Sequence, residues 1–320
     1  MIDPAPLLGR LLDPLARAML EGPGVPAFDF ADPMGEPALV GPASVSWRVF
    51  RNPVALFAGG VAAVLLELAE PRVRAGVWDH SSFRADPVAR LRRTGLAAMV
   101  TVYGARGGAE AMIAGVNRAH AHIAGRTAAG LPYRADDPEL LRWVQATAAW
   151  GFAAAYDAYV APLGEAGLSG AFAEGAAAAR LYGVPDPPLS TAEWRALLDA
   201  AMPWLEPSLV LDEFLRVMRR APALPRPLGP LQRLMLRGAV SLVPPALRAR
   251  LHLRGGLRPG ERALLRRLGA LADRIDPPSG PPARALRRLG LPPDHFRRGP
   301  SSVRTPPPIA ARRPRPAPPA

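Results

Sequence analysis

The sequence predicts an all-α fold built around a helical core. Three observations carry that expectation: apolar residues recur at helical spacing along most of the chain, strand signals are nearly absent, and the breaks fall at Pro and Gly. Segments near 54–70, 87–103, 107–124, 138–161, 164–182, 191–202, 208–220, 230–243 and 260–274 are rich in Ala, Leu, Arg and Glu, all good helix formers. The first is the most apolar. It runs from Val54 to Ala69, interrupted at Glu67 and stopped at Glu70, short of the roughly 20 apolar residues that cross a bilayer, so it reads as a buried helix. Asp86-Pro87 and Asp137-Pro138 each set a capping carboxylate before a proline at the first helical position, which starts the helices at 87 and 138. Between helices, Glu70-Pro71, Tyr103-Gly104, Gly125 to Gly130, Gly183 to Pro188 and Pro222 to Pro230 are the breaks. No repeat of about 20 to 50 residues occurs, which disfavours a solenoid.

Composition narrows the chemistry. The chain has no Cys, which excludes disulfides, thiolate zinc sites, iron–sulfur clusters and cysteine nucleophiles. Its net charge of +13 comes entirely from Arg, since there is no Lys, and it is unevenly placed. Residues 1–218 hold 18 Arg against 23 acids, a net of −5, and residues 219–320 hold 22 Arg against 4 acids, a net of +18. The stretch 297–320 has six Arg, eight Pro and no acid, a composition expected to stay disordered. It also lacks aromatic residues to stack on bases, so no nucleic-acid partner is expected, whereas an anionic membrane suits it as a peripheral contact. His252 and His295, in the Arg-rich third, are expected to be exposed. Met1 to Leu20 carries Asp3, Asp13 and three prolines, unlike a secretory signal, so a cytoplasmic protein with peripheral membrane contact is expected.

Two constellations stand out as candidate sites. His120 and His122 lie two residues apart on the expected helix, on roughly opposite faces, so they cannot share one metal. His120 falls on the stripe of Met112, Ile113 and Val116 and points inward, while His122 turns away. A core histidine and an iron ligand are both compatible with that placement. Arg90 and Thr94, four apart, share a face that continues to Ala98 and Thr101. A buried guanidinium there needs a carboxylate, a cofactor propionate or a polar ligand; the alternative is an Arg reaching solvent and a Thr bonded to its own helix. Trp78 to Phe83 reads as a polar, turn-prone stretch. Nucleotide-binding glycine loops, His-Glu-x-x-His and a nucleophile elbow are absent.

Taken in order, Trp47-Arg48-Val49, Glu70-Pro71, Gly76-Val77-Trp78-Asp79-His80-Ser81-Ser82-Phe83, Asp86-Pro87 with Arg90 and Thr94, Tyr103-Gly104, His120 with Gly125, Pro132-Tyr133, Asp137-Pro138 and Trp143-Val144 resemble the family that groups the oxygenase MpaB with the rubber oxygenases. The likeness is densest over 45–165 and weaker to about 275. It implies a globin-like helical bundle holding one haem b, with iron and O2 acting on a small apolar substrate, isoprenoid, lipid or polyketide side chain. The resemblance places the haem-iron ligand on His120, and cofactor-binding and catalytic roles on Arg90 and Thr94. Rubber oxygenases carry a lysine directly before that threonine; here it is Arg93, which cannot deprotonate to ligate iron, so a five-coordinate or water-bound haem is implied. A haem-binding sensor or carrier without turnover is the other function the same fold would serve. The expected organisation is an N-terminal helix and loop at 1–44, the helical haem-binding domain at 45–275, and a largely disordered tail at 276–320.

Overall fold

The computed structural model describes residues 5–80 and 83–296. Helix α1 (Ala5–Leu20) and a loop precede α2 (Val45–Arg51), which bends by 98° into α3 (Pro53–Glu67). Then come α4 (Pro71–His80), α5 (Pro87–Tyr103) and α6 (Arg106–His120), followed by a two-stranded antiparallel hairpin, β1 (Ala124–Arg126) and β2 (Pro132–Arg134). The second half holds α7 (Pro138–Tyr159), α8 (Gly164–Leu181), α9 (Thr191–Ala201) and α10 (Leu209–Arg220). A 3₁₀ turn at Arg226–Leu228 leads into α11 (Gly229–Leu242), and α12 (Pro245–Arg250), α13 (Glu261–Ala272) and α14 (Pro281–Arg288) follow. The Asp-Pro starts act as the sequence predicts: Asp86 accepts the Ala89 amide at 3.1 Å and Asp137 the Glu139 amide at 2.9 Å.

Helices α3 and α7 form the central pair and run antiparallel. A Cβ on Gly59 would lie 2.6 Å from the Gly151 carbonyl oxygen, and one on Gly151 would lie 2.5 Å from the Gly59 oxygen. Only glycine at both positions lets the two backbones touch. Further along the same contact, Trp143 Nε1 donates to Leu66 O at 3.2 Å. Leu65, Leu66, Tyr156 and Tyr159 are fully buried around the pair, each apolar side chain contributing about 1.5–3 kcal/mol by leaving water. Helix α13 closes on α7 at Gly269, where a Cβ would strike Tyr159 O, and α11 closes on it through the Tyr159 hydroxyl, which donates to Gly238 O at 2.8 Å. Among the described residues no single helix is long and apolar enough to cross a membrane; α2 and α3 pass that test only as a bent pair.

Four expectations need correction. The helix foreseen over 107–124 stops at His120, and the chain turns through 121–123 into the hairpin, because the run from Gly125 to Tyr133 holds glycines and a proline that favour turns over helix. The stretch Trp78 to His80, read as a turn, is the last turn of α4; Ser81 and Ser82 lie outside the described residues. Residues 276–296, read as the start of a disordered tail, are packed. Arg288 in α14 is wholly buried and donates to Glu36 O at 2.9 Å, Phe30 O at 2.7 Å and Tyr103 O at 2.8 Å. His295 is buried too, while His252 is exposed as expected. The Arg richness of this segment hid an amphipathic helix whose single inward Arg satisfies three loop and helix-end carbonyls. The remaining 297–320 lies outside the described residues.

Replacing Arg288 by Ala would leave those three carbonyls without donors and is expected to lower unfolding free energy by about 3 kcal/mol or more. Arg288→Lys should recover little of it, because one ammonium cannot span three fixed acceptors as the planar guanidinium does. Urea unfolding followed by circular dichroism measures both; a midpoint unchanged in Arg288→Ala would contradict the latch.

Candidate functional site

Between the central pair and α5, α6 and α8 lies a cavity of about 1210 Å³ with predominantly apolar walls. It exceeds the usual ~300–1,000 Å³ of small-molecule sites, so it has room for a large flat ligand and a second molecule. Small side chains make the space: Gly60 of α3, Ala97 and Ala98 of α5, and Ala148 and Ala149 of α7 all face it. Polar and charged side chains, Arg92, Arg93, Thr101 and Gln145 among them, interrupt that wall. Those that converge are His120, Arg90, Thr94 and Glu67.

His120 is the last residue of α6, half-buried at the cavity. Burial, reinforced by the nearby Arg90 charge and only partly opposed by Asp136, pushes its imidazolium pKa down, so the ring is neutral at physiological pH. Its Nδ1 is buried and has no hydrogen-bond partner. Such a nitrogen costs about 1–3 kcal/mol if left unused, which is an explanation sought rather than a stability device. A neutral imidazole with unengaged capacity is what a metal ligand requires. His122, past the helix end, is exposed, so the opposite-facing expectation for the two histidines agrees with the structure although the helix does not reach His122.

Arg90 and Thr94 line the same cavity from α5. Arg90 Nη1 donates to Thr94 Oγ1 at 2.6 Å, and that hydroxyl donates to Arg90 O at 2.9 Å. The helix-bonded Thr is therefore present, but the Arg does not reach away to solvent: burial and the Arg93 charge lower its pKa, and the attraction of Glu67 opposes them. The guanidinium hydrogen-bonds Thr94, and the nearby Glu67 carboxylate attracts it.

Glu67 is the residue that sequence reasoning missed. It had served only to shorten an apolar run, yet as the lone acid within α3 it faces the cavity. Desolvation raises its pKa from 4.5 to about 7, against the attraction of Arg90 and a 3.4 Å hydrogen bond from Thr147 Oγ1. Near neutrality it holds its proton about half the time. The signal was available as an acid inside an otherwise apolar, core-facing helix.

The motif residues of the hairpin meet beside the α6 terminus. Tyr133, buried, lies against Gly76 of α4, where a Cβ would sit 3.6 Å from its ring, and Gly125, where a Cβ would sit 2.6 Å from its hydroxyl. His80 Nε2 lies 3.0 Å from the Tyr133 hydroxyl. The cluster ties the hairpin to α4 five residues beyond His120, which fixes the direction in which α6 ends. Among the described residues no three His, Asp or Glu come together to hold an ion by themselves. One imidazole suits a metal whose other ligands come from a macrocycle, and the apolar cavity beside it suits the macrocycle.

A family model described as ER-bound oxygenase mpaB/B'/rubber oxygenase, catalytic domain, matches residues 47–274. No curated protein and no solved structure matches the chain.

The Glu67 shift has a consequence for stability in the ligand-free protein. A carboxyl whose folded pKa is raised keeps its proton longer in the folded state than in the unfolded one. Stability is therefore highest below 4.5 with respect to this group and falls as pH rises to about 7, by on the order of 2–3 kcal/mol. Glu67→Gln should flatten that part of the pH profile in urea titrations; an identical profile in the variant would show that Glu67 titrates normally.

Proposed function

The chain belongs to the family that joins the ER-bound oxygenase MpaB with the rubber oxygenases, and from that membership and the cavity we propose that it is a haem b-dependent oxygenase acting with O2 on a small apolar substrate. One observation carries the haem: the neutral, half-buried His120, with a ring nitrogen that nothing engages, at the edge of a large apolar cavity. The residues present fit the group. His120 would hold the iron, no cysteine is present to tether the macrocycle, and Arg90 is placed for a propionate or for anionic charge inside the cavity.

When bound, the haem supplies the redox-active iron for reaction of O2 with the substrate. The protein's own contribution follows from its side chains. Val64, Val144 and Phe152 exclude water and select an apolar substrate by surface alone, so isoprenoid, lipid and polyketide side chains suit the walls better than sugars or charged metabolites. Thr94 accepts from Arg90 and pins the guanidinium against its own helix, which keeps one fixed positive charge in a medium where it acts strongly. Glu67, poised near pH 7 within the field of that charge, can release a proton into the cavity or take one from a bound substrate at its carboxyl oxygen. Arg93 stands where the rubber oxygenases have a lysine and cannot be a nitrogen ligand at neutral pH.

Haem-loaded protein is expected to consume O2 when given a compact isoprenoid or unsaturated lipid and to yield an oxygenated product by mass spectrometry. Arg90→Ala should retain the haem Soret band while turnover drops by about 10²-fold, as when one preorganised donor is lost, and Thr94→Val should give a smaller loss because the guanidinium is released rather than removed. Haem-replete protein without substrate-dependent O2 uptake across such a panel would contradict the oxygenase assignment.

A further inference from the structure

Two hydroxyl groups lie on the cavity wall beyond the turn that carries Arg90 and Thr94. Thr101 of α5 comes seven residues after Thr94, on the same face and about 10 Å further along the helix, and Tyr182 meets it from the end of α8. The local sequence seats Tyr182 firmly. Gly183 takes a left-handed φ of 97°, its amide donates to Arg180 O and the Val184 amide donates to Ala179 O, each at 3.0 Å, so Tyr182 caps α8. From α6, Asn117 Nδ2 adds a bond to Leu181 O at 2.8 Å.

The hydrogen bonds of the pair are unequal. Thr101 Oγ1 donates to Ala97 O at 2.8 Å, which commits its one proton to its own helix. The 3.3 Å contact between the two hydroxyls therefore runs from Tyr182 to Thr101, and it is long for a bond between oxygens. Burial raises the Tyr182 pKa, so the phenol keeps that proton at physiological pH. Among the described residues its oxygen receives no hydrogen bond. Gln145 of α7 also lines the cavity, one turn past Leu141, whose side chain lies against Gly183. Its amide makes no hydrogen bond among the described residues.

The cations of the wall are engaged or directed elsewhere. Arg51, Arg72 and Arg134 are paired with acids. Arg92 and Arg93 reach the loop after α1, where a Cβ on Gly22 would lie 2.6 Å from Arg92 Nη1 and one on Gly24 4.0 Å from Arg93 Nη1. A carboxylate beside Tyr182 would thus lose its hydration without gaining a cation, whereas a neutral oxygen needs only the donor that the phenol holds loosely.

We propose that Tyr182, positioned by Thr101, binds an uncharged oxygen of the substrate, a hydroxyl or a carbonyl, about 10 Å along α5 from Thr94. The Tyr182 proton passes from its long bond with Thr101 to one of ordinary length with the ligand, and the Gln145 amide is the second polar group on that side. The substrate is then an apolar chain or ring system that carries one such oxygen, rather than a plain hydrocarbon. The proposal rests on the oxygenase assignment for what happens at the reacting end; the hydrogen bond itself is measurable without turnover.

Headspace gas chromatography over the full-length protein, with and without haem, reads the binding of octan-1-ol and oct-1-ene, two volatile and uncharged probes that differ in the hydroxyl. Tyr182→Phe should weaken octan-1-ol about tenfold and leave oct-1-ene within about twofold, because only the alcohol loses a donor. Thr101→Val, which removes the competing acceptor and keeps the side-chain shape, should bind octan-1-ol as well as the parent or better. Unchanged octan-1-ol binding in Tyr182→Phe would overturn the proposal, as would a parent that binds no alcohol. Equal loss of both probes in Tyr182→Phe would overturn it too, and would show that the ring only fills space and joins α8 to α5. Octan-1-ol binding lost in Thr101→Val as in Tyr182→Phe would move the contact to the threonine. Protein that consumes no O2 can still pass this test, and an oxygenase can fail it, so the two readings fail separately.

Discussion

The contact between the Gly59 and Gly151 backbones is the constraint on which the rest of the molecule depends. It draws α3 and α7 together without side chains between them, so the pair acts as one rigid slab around which α8, α11 and α13 gather. Where the pair borders the cavity, Gly60, Ala148 and Ala149 leave space, and there the packing stops short of closing. The cavity is the consequence of a tight contact on one side and sparse volume on the other. Its polar groups come from helix ends or from isolated positions within apolar helices: His120 ends α6, Glu67 ends α3, and Arg90 lies in the first turn of α5 behind the Asp86 cap.

That placement makes the site economical in charge. Within it Arg90 is the group that links the other two: it lowers the pKa of His120 and restrains the rise in that of Glu67, and Glu67 offsets the burial of Arg90. A change at Arg90 alters the protonation of both His120 and Glu67.

Much of this was legible in the sequence, for reasons that particular residues make plain. The long helices announced themselves because their caps and apolar stripes agree, as at Asp86-Pro87 and Asp137-Pro138. The inward placement of His120 followed from rotation per residue, whereas for Arg90 the spacing gave only a face shared with Thr94 and left solvent open. The hairpin was hidden because three-residue strands leave no alternation to read, and its register is set by Tyr133 packing between two glycines far apart in sequence. Glu67 was hidden because an acid that ends an apolar run looks the same whether it meets water or a cavity. The Arg-rich α14 was hidden because composition counts charges and Arg288 is the one that points inward. Glu67 and Arg288 were missed because their contacts are long-range, and the order of motifs carried the family where single residues could not.

The proposed haem rests on His120 as the ligand of its iron, which haem titration of the purified protein with optical and paramagnetic-resonance readout tests. The parent chain is expected to take up about one haem b per chain, extractable by acid, with the spectrum of iron held by one imidazole. His120→Ala should lose most of the haem, with partial recovery on added imidazole, and His122→Ala should match the parent. Equal loss in both variants, or an unchanged spectrum in His120→Ala, would contradict the assignment and move the ligand elsewhere.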